Sequence, residues 1–268
     1  MLNTYKYKEE VWIDVLQGKA EEIQSLVERY GIDPYIAKEI KAESPKSLFG
    51  FYDKYIYCIL RFPVSKHTHS DGKSQEVDFI IGQDILITAR YDTIDALHTF
   101  AKELEVDQVL EKQGQQSRHG YVIFTSMLRA LYRSILEELE YIEDRIENIS
   151  KEIFEGEEKE MVVSISETTG TLLDFKRVTG MHGKILESLC DRGGEFFGHA
   201  FVEAMEATIL DYTKINTIIH SNLEMLRELR ETNNSLLTSK QNETIKQLTI
   251  IGSILLILNI MAVIYFAI

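Results

Sequence analysis

The stretch Glu231–Ile268 reads ETNNSLLTSKQNETIKQLTIIGSILLILNIMAVIYFAI and contains the decisive boundary of the chain. Its first part is polar, and its last twenty-one residues, Leu248–Ile268, carry no charged side chain. At roughly 1.5 Å per helical residue that segment reaches about 31 Å, the thickness of a bilayer hydrocarbon core. Uncharged runs of this length read as membrane spans rather than as helices of a water-soluble core. A secretory signal is a different case, being N-terminal, and this chain opens with the polar MLNTYKYKEEVW. Targeting is thus expected to fall to the C-terminal span. Lys240 and Lys246 lie just before it and favour a cytoplasmic body, although Glu243 sits between them.

The 268 residues leave room for a soluble domain and extended helices. An apolar content of 44% is that of a folded chain. With 43 acidic residues against 29 basic ones, the net charge of −14 opposes non-specific nucleic-acid binding and suits a body that attracts cations. An acidic, solubilising surface accounts for the charge equally well. Cys58, inside YIYCILRF, and Cys190 are far apart and read as reduced, packed thiols. No CxxC, HExxH, P-loop, GxGxxG or GxSxG pattern occurs, so the sequence offers no enzyme fingerprint.

Working upstream from the span, the 205 residues from Val64 onward contain no proline, which permits very long helices. Apolar residues at Phe201, Met205, Ile209, Tyr212, Ile215, Ile219, Leu223, Leu226 and Leu229 predict one helix from about Glu195 into the span. A second stripe, Ile123, Met127, Leu131, Ile135, Leu139, Ile142, Ile146 and Ile149, predicts another long helix that ends at the acidic turn EGEEKE. A third helix is expected from about Lys159 to Leu189, stopping near Arg192–Gly193–Gly194. The first hundred or so residues alternate instead. VWIDVL reads as a strand, and Lys19–Tyr30 as an amphipathic helix ended by Gly31. Pro34 opens a short helix through Lys41. SLFGFYDK and YIYCILRFPV read as paired strands, EVDFII and DILITARY as a hairpin around Gly82–Gln83, and Thr93–Glu105 as a helix.

The predicted architecture is an α+β cytoplasmic domain followed by long helices leading into one C-terminal transmembrane helix. Its parts are an α/β domain over 1–116, an antiparallel long-helix pair over 117–194, a stalk helix over 195–247 and a transmembrane helix over 248–268. A stalk helix of this length needs neighbours to cover its apolar stripe, which the helix pair and a symmetric oligomer can supply.

Four segments, in order, resemble the CorA family of magnesium and divalent-cation transporters. ETNNSLLTSKQNETIKQLTIIGSIL is similar to the family's stalk-to-membrane junction, and VWIDV to the first strand of its cytoplasmic domain. PYIAKEIKAESPKSLFGFYDKYIYCILRFP and VDFIIGQDILITARYD resemble its following helix, strand pair and hairpin. The resemblance implies a homopentamer, partly coiled-coil, in the cell (inner or plasma) membrane. Mg²⁺ would be its cargo and a regulatory ligand, its partners would be divalent cations, lipid and further copies of the chain, and nucleic acid would have no role. Transport would be passive, through a central pore. Carried over position by position, the resemblance makes Asn242, Ile245, Leu248, Leu256 and Asn259 pore-lining residues. It also puts Glu39 at an acidic position near a regulatory metal site, with Glu203, Glu206 and Asp211 in the partner region. Apart from the resemblance, His67 and His69 form an H-x-H pair that could bind zinc but more often stays solvated. The family places Gly-Met-Asn after the position of Tyr265, where this sequence reads Phe266–Ala267–Ile268. The alternative expectation is therefore a truncated or degenerate member, a tail-anchored, non-conducting cation-sensing or scaffold protein.

Overall fold

The computed structural model describes residues 1–7, 10–44, 48–63, 74–110 and 120–267. His67 and His69 lie outside the described residues. The chain divides into two compact units, Met1–Tyr141 with Leu172–His220, and Ile142–Thr171 with Ser221–Ile268.

The first unit is built on a six-stranded mixed sheet. Its strands are β1 (Leu2–Tyr7), β2 (Glu10–Leu16), β3 (Phe49–Phe51), β4 (Tyr55–Phe62), β5 (Gln75–Gly82) and β6 (Ile85–Arg90). They lie in the order β1-β2-β6-β5-β4-β3. Only the β2–β6 pair is parallel, and Val11 opposes Ile85 in it. The strand β1 is not legible as one in the polar opening MLNTYKYKEE. It forms because an antiparallel ladder with β2 satisfies its backbone, and Tyr5 stacks on Trp12 at 4.5 Å.

Period-two patterning sends alternate residues to opposite faces. On one face Ile13, Val15, Tyr57, Ile59, Ile80 and Ile87 pack against Ile23 and Leu26 of α1 (Ala20–Tyr30) and Ile36 of α2 (Pro34–Glu39). Gly31 ends α1 at φ 65, a left-handed conformation that glycine adopts without strain. Asp33 caps α2, its carboxylate accepting from the Tyr35 amide at 2.7 Å, with Pro34 in the first turn. On the other face Trp12 meets Phe100 of α3 (Asp95–Leu110), and Phe79 meets Phe124 of α4 (Gly120–Glu155).

The helix predicted over Lys159–Leu189 is in fact two, α5 (Glu158–Thr179) and α6 (His182–Phe197), broken at Gly180–Met181. Gly193 and Gly194 are not the stop. They lie inside α6, where a Cβ on Gly193 would come within 2.3 Å of the Phe201 ring. These glycines allow close helix approach, and α6 ends instead at Gly198, φ 88. The last helix, α7, runs unbroken over His199–Ala267. At 1.5 Å per residue it is about 100 Å long.

In the second unit, α4 turns into α5 at Gly156, φ 107. Ile142, Ile146, Ile149 and Ile153 of α4 and Met161 and Ile165 of α5 are buried there, together with Leu226 of α7.

Candidate pore-lining helix

Two seams run along α7, and their phase distinguishes their roles. The first comprises Phe201, Met205, Thr208, Ile215, Ile219, Asn222, Leu226 and Asn233, all buried, at steps of three, four or seven. Its polar members inside the second unit are matched to the α4–α5 hairpin. Asn222 Nδ2 donates to Glu143 at 3.4 Å, and Asn233 Nδ2 donates to the Glu158 carbonyl at 2.8 Å. Lys240 continues this seam. Its ammonium pairs with the buried Glu158 carboxylate, holding that group below the usual glutamate range, and donates to the Gly156 carbonyl at 3.2 Å. Arg230 donates to Thr169, and Arg145 pairs with Glu167 within the hairpin.

The second seam comprises Ser235, Thr238, Asn242, Ile245, Thr249, Gly252, Leu256 and Asn259, again at steps of three and four. At about 100° per residue, Asn242 lies about 200° around the helix from Lys240. The face that carries Asn242 is thus turned away from the one that grips the hairpin. Every residue from Thr238 to Ala262 is exposed, including Ile245 (60%), Leu248 (63%), Leu256 (63%) and the amide of Asn259. Leu248 flanks the seam, one helical turn from Ile245 and from Gly252. The hydroxyls of Thr249 and Ser253 donate to the carbonyls of Ile245 and Thr249 at 2.8 and 2.9 Å. They are satisfied inside the helix and so tolerable in an apolar medium, whereas the Asn259 amide makes no such bond. Among the described residues α7 is the one helix long and apolar enough to cross a membrane, and its apolar window is wholly exposed.

Spacing alone could have added Thr249 and Gly252 to the five seam and flanking residues read from the sequence. Glu39 stands apart from them. It is half-buried at the end of α2, its carbonyl accepting from Tyr91 Oη at 3.2 Å. Asp211 is paired with Arg129 at 3.0 Å, and Glu203 with His199 at 3.3 Å. No group of three or more His, Cys, Asp or Glu side chains converges as a metal cage among the described residues.

The family model described as "CorA-like Mg2+ transporter protein" matches residues 7–265. The chain belongs to that family. It is a family of transporters, not of enzymes, found in the cell membrane. Among similar proteins is the cobalt/magnesium transport protein CorA of Thermotoga maritima, 22% identical over 257 residues, which span 95% of this chain and 72% of that one. The CorA magnesium transporter of Methanocaldococcus jannaschii has the same fold, with a TM-score of 0.77 at 18% identity over 94% of this chain and 77% of that one. The ZntB cytoplasmic domain of Vibrio parahaemolyticus matches at a TM-score of 0.70 and 13% identity, over 87% and 90% of the two chains. The α+β domain, long helices and terminal apolar helix predicted from sequence are the family's fold.

Proposed function

We propose that this chain is one subunit of a CorA-type homo-oligomer, pentameric by family analogy, that passes Mg²⁺ or a related divalent cation passively across the cell membrane. The observation carrying this reading is the second seam of α7. An exposed apolar helix bears a file of amide, hydroxyl and aliphatic groups on the face opposite its hairpin contacts. In lipid, Asn259 is costly unless it faces other helices or a water-filled path. Copies of α7 around an axis supply that path. Asn242 stands at its cytoplasmic mouth, Ile245, Leu248 and Leu256 narrow it, and Thr249, Gly252 and Asn259 lie along it. Mg²⁺ is hard and sheds water reluctantly, so amide and hydroxyl oxygens handle it through its hydration shell without a thiolate or imidazole cage. The part upstream of the span, which carries the whole net charge of −14, lies on the cytoplasmic side and concentrates cations at the mouth. The divisions expected from sequence, 1–116, 117–194, 195–247 and 248–268, then correspond to the body, the helices α4 to α6, the stalk, whose helix starts at His199, and the span.

The test is cation entry into vesicles carrying the full chain and an entrapped Mg²⁺-sensitive dye. Flux above empty vesicles, reduced at least tenfold by Asn259→Leu, is the expected result. Flux no greater than in empty vesicles overturns conduction. If Mg²⁺ then still altered protease resistance of the oligomer, the non-conducting cation-sensing role would take its place.

A further inference from the structure

The sheet of the first unit buries two carboxyl groups that neither transport nor packing explains. Glu76 and Asp78 are two apart on β5, so both point to the face covered by α1 and α2, and they are 2% and 1% exposed. Glu76 is well supplied. Both its oxygens accept from the Ser44 amide, at 2.9 and 3.2 Å, and Arg61 Nη1 lies 3.3 Å from Oε2. Asp78 is not. Tyr57 Oη donates to its Oδ2 at 2.7 Å, while its Oδ1 is buried without a partner.

Arg61 is the cation in ion-pair range of either carboxyl among the described residues, and it also serves Glu43 at 3.7 Å and the Ser44 carbonyl at 2.6 Å. The other groups turned toward Asp78 are neutral or acidic. They are Tyr57 of β4, Tyr91 beyond β6, and Glu39 of α2. A second buried anion here would go uncompensated, which costs several kcal/mol as a rule. Burial, with Glu76 and Glu39 adding to it, pushes the Asp78 carboxyl up to about 8, and burial likewise raises Glu76.

We propose that Glu76 and Asp78 form a proton-binding site in the cytoplasmic domain, holding one proton between two buried carboxyl groups with Asp78 as its carrier. The site makes the domain a sensor of mildly alkaline pH. When the proton leaves, two like charges share a single guanidinium beneath the segment Ile40–Ser44, which Glu76 and Arg61 moor. The sign follows from linkage. The folded state keeps a proton that the unfolded chain releases near pH 4, so stability is full below that pH and falls as pH rises toward 8.

The experiment is denaturant unfolding of the full chain in detergent across pH 5–9, followed by the fluorescence of Trp12, the single tryptophan. The ratio of the unfolding constants of wild type and Asp78→Asn should rise about tenfold per pH unit between about 5 and 7, and level off above about 8. A ratio independent of pH overturns the proposal. Infrared spectroscopy of the wild type gives an independent reading should the variant fail to fold. A protonated-carboxyl band must be present at pH 6.5 and vanish by pH 9.5, and its absence at pH 6.5 refutes the site. Tyr57→Phe removes the donor that favours the anion, so the pH at which the band vanishes must move upward. An unchanged or lower value also refutes it.

Discussion

His182 offers the sharpest test of how the first unit is held together. Its ring is fully buried between Phe62, Tyr132 and Tyr212. Nε2 lies 2.8 Å from the Arg61 carbonyl, which can only accept, so Nε2 carries the proton. Nδ1 then accepts from Tyr132 Oη at 3.0 Å. This neutral tautomer satisfies both nitrogens, and a second proton would place a charge among aromatic rings. Burial accordingly pushes the imidazole down to about 4 from its ordinary 6.5. That depression corresponds to roughly 3 kcal/mol. Because the folded value is depressed, that stability is fully present above about pH 6.5 and is lost as pH falls toward 4. Asp78 slopes the other way over the whole of this range, so the measurement is a difference. The unfolding free energies of wild type and His182→Gln are compared from pH 4 to 7.5 by Trp12 fluorescence. Wild type should lose on the order of 3 kcal/mol relative to the variant across that window. Parallel pH profiles for the two proteins would refute the buried neutral histidine.

Two further outcomes follow from packing and charge. Arg90 embraces Asp14 through Nε at 3.1 Å and Nη2 at 2.8 Å, while Thr88, itself a partner of Trp12 Nε1, donates to Asp14 at 2.8 Å. Arg90→Met leaves Asp14 buried and unpaired and should destabilise the unit by about 3–5 kcal/mol in denaturant unfolding, with most of it regained in the double variant Asp14→Leu/Arg90→Met. Gly193→Ala puts a methyl group against the Phe201 ring and should cost about 1–3 kcal/mol by the same assay, with relief from Phe201→Leu.

The elements legible in the sequence were those whose residues carry a period. The apolar stripe of α4 from Ile123 to Ile149 repeats every three or four residues, and all its members are buried as the pattern requires. The hairpin of β5 and β6 was equally plain, because apolar β-branched residues flank a Gly-Gln turn. The sheet's first strand was hidden, since an edge strand with one solvated side needs few apolar residues. The α5–α6 break at Gly180–Met181 was missed, and the end of α6, at Gly198, was misplaced to Gly193–Gly194 for a different physical reason. A glycine pair signals either a helix stop or a close approach, and only the position of the Phe201 ring decides between them. The buried charges were least legible of all. Asp14 pairs with a residue 76 positions away, and Glu76 with an amide 32 positions away, separations that no local pattern encodes.

The candidate site shows the same division within one helix. Up to Asn233, α7 repeats a seam that alternates large aliphatic groups with Thr208, Asn222 and Asn233, and each seam position from Phe201 to Met205 and from Ile215 to Leu226 is shut away from solvent. Beyond Thr238 the aliphatic content rises while burial vanishes, with Ile250, Ile251, Ile254, Leu255 and Leu258 all more than half exposed. Contiguous apolar surface of that extent is not stable in water. Lipid can cover the flanks of such a helix, but it cannot serve Asn242, Asn259 and the backbone exposed at Gly252, which fall on one side. The physical demand of that side, a partly polar neighbour inside a membrane, is what further copies of the same helix around an aqueous axis would meet.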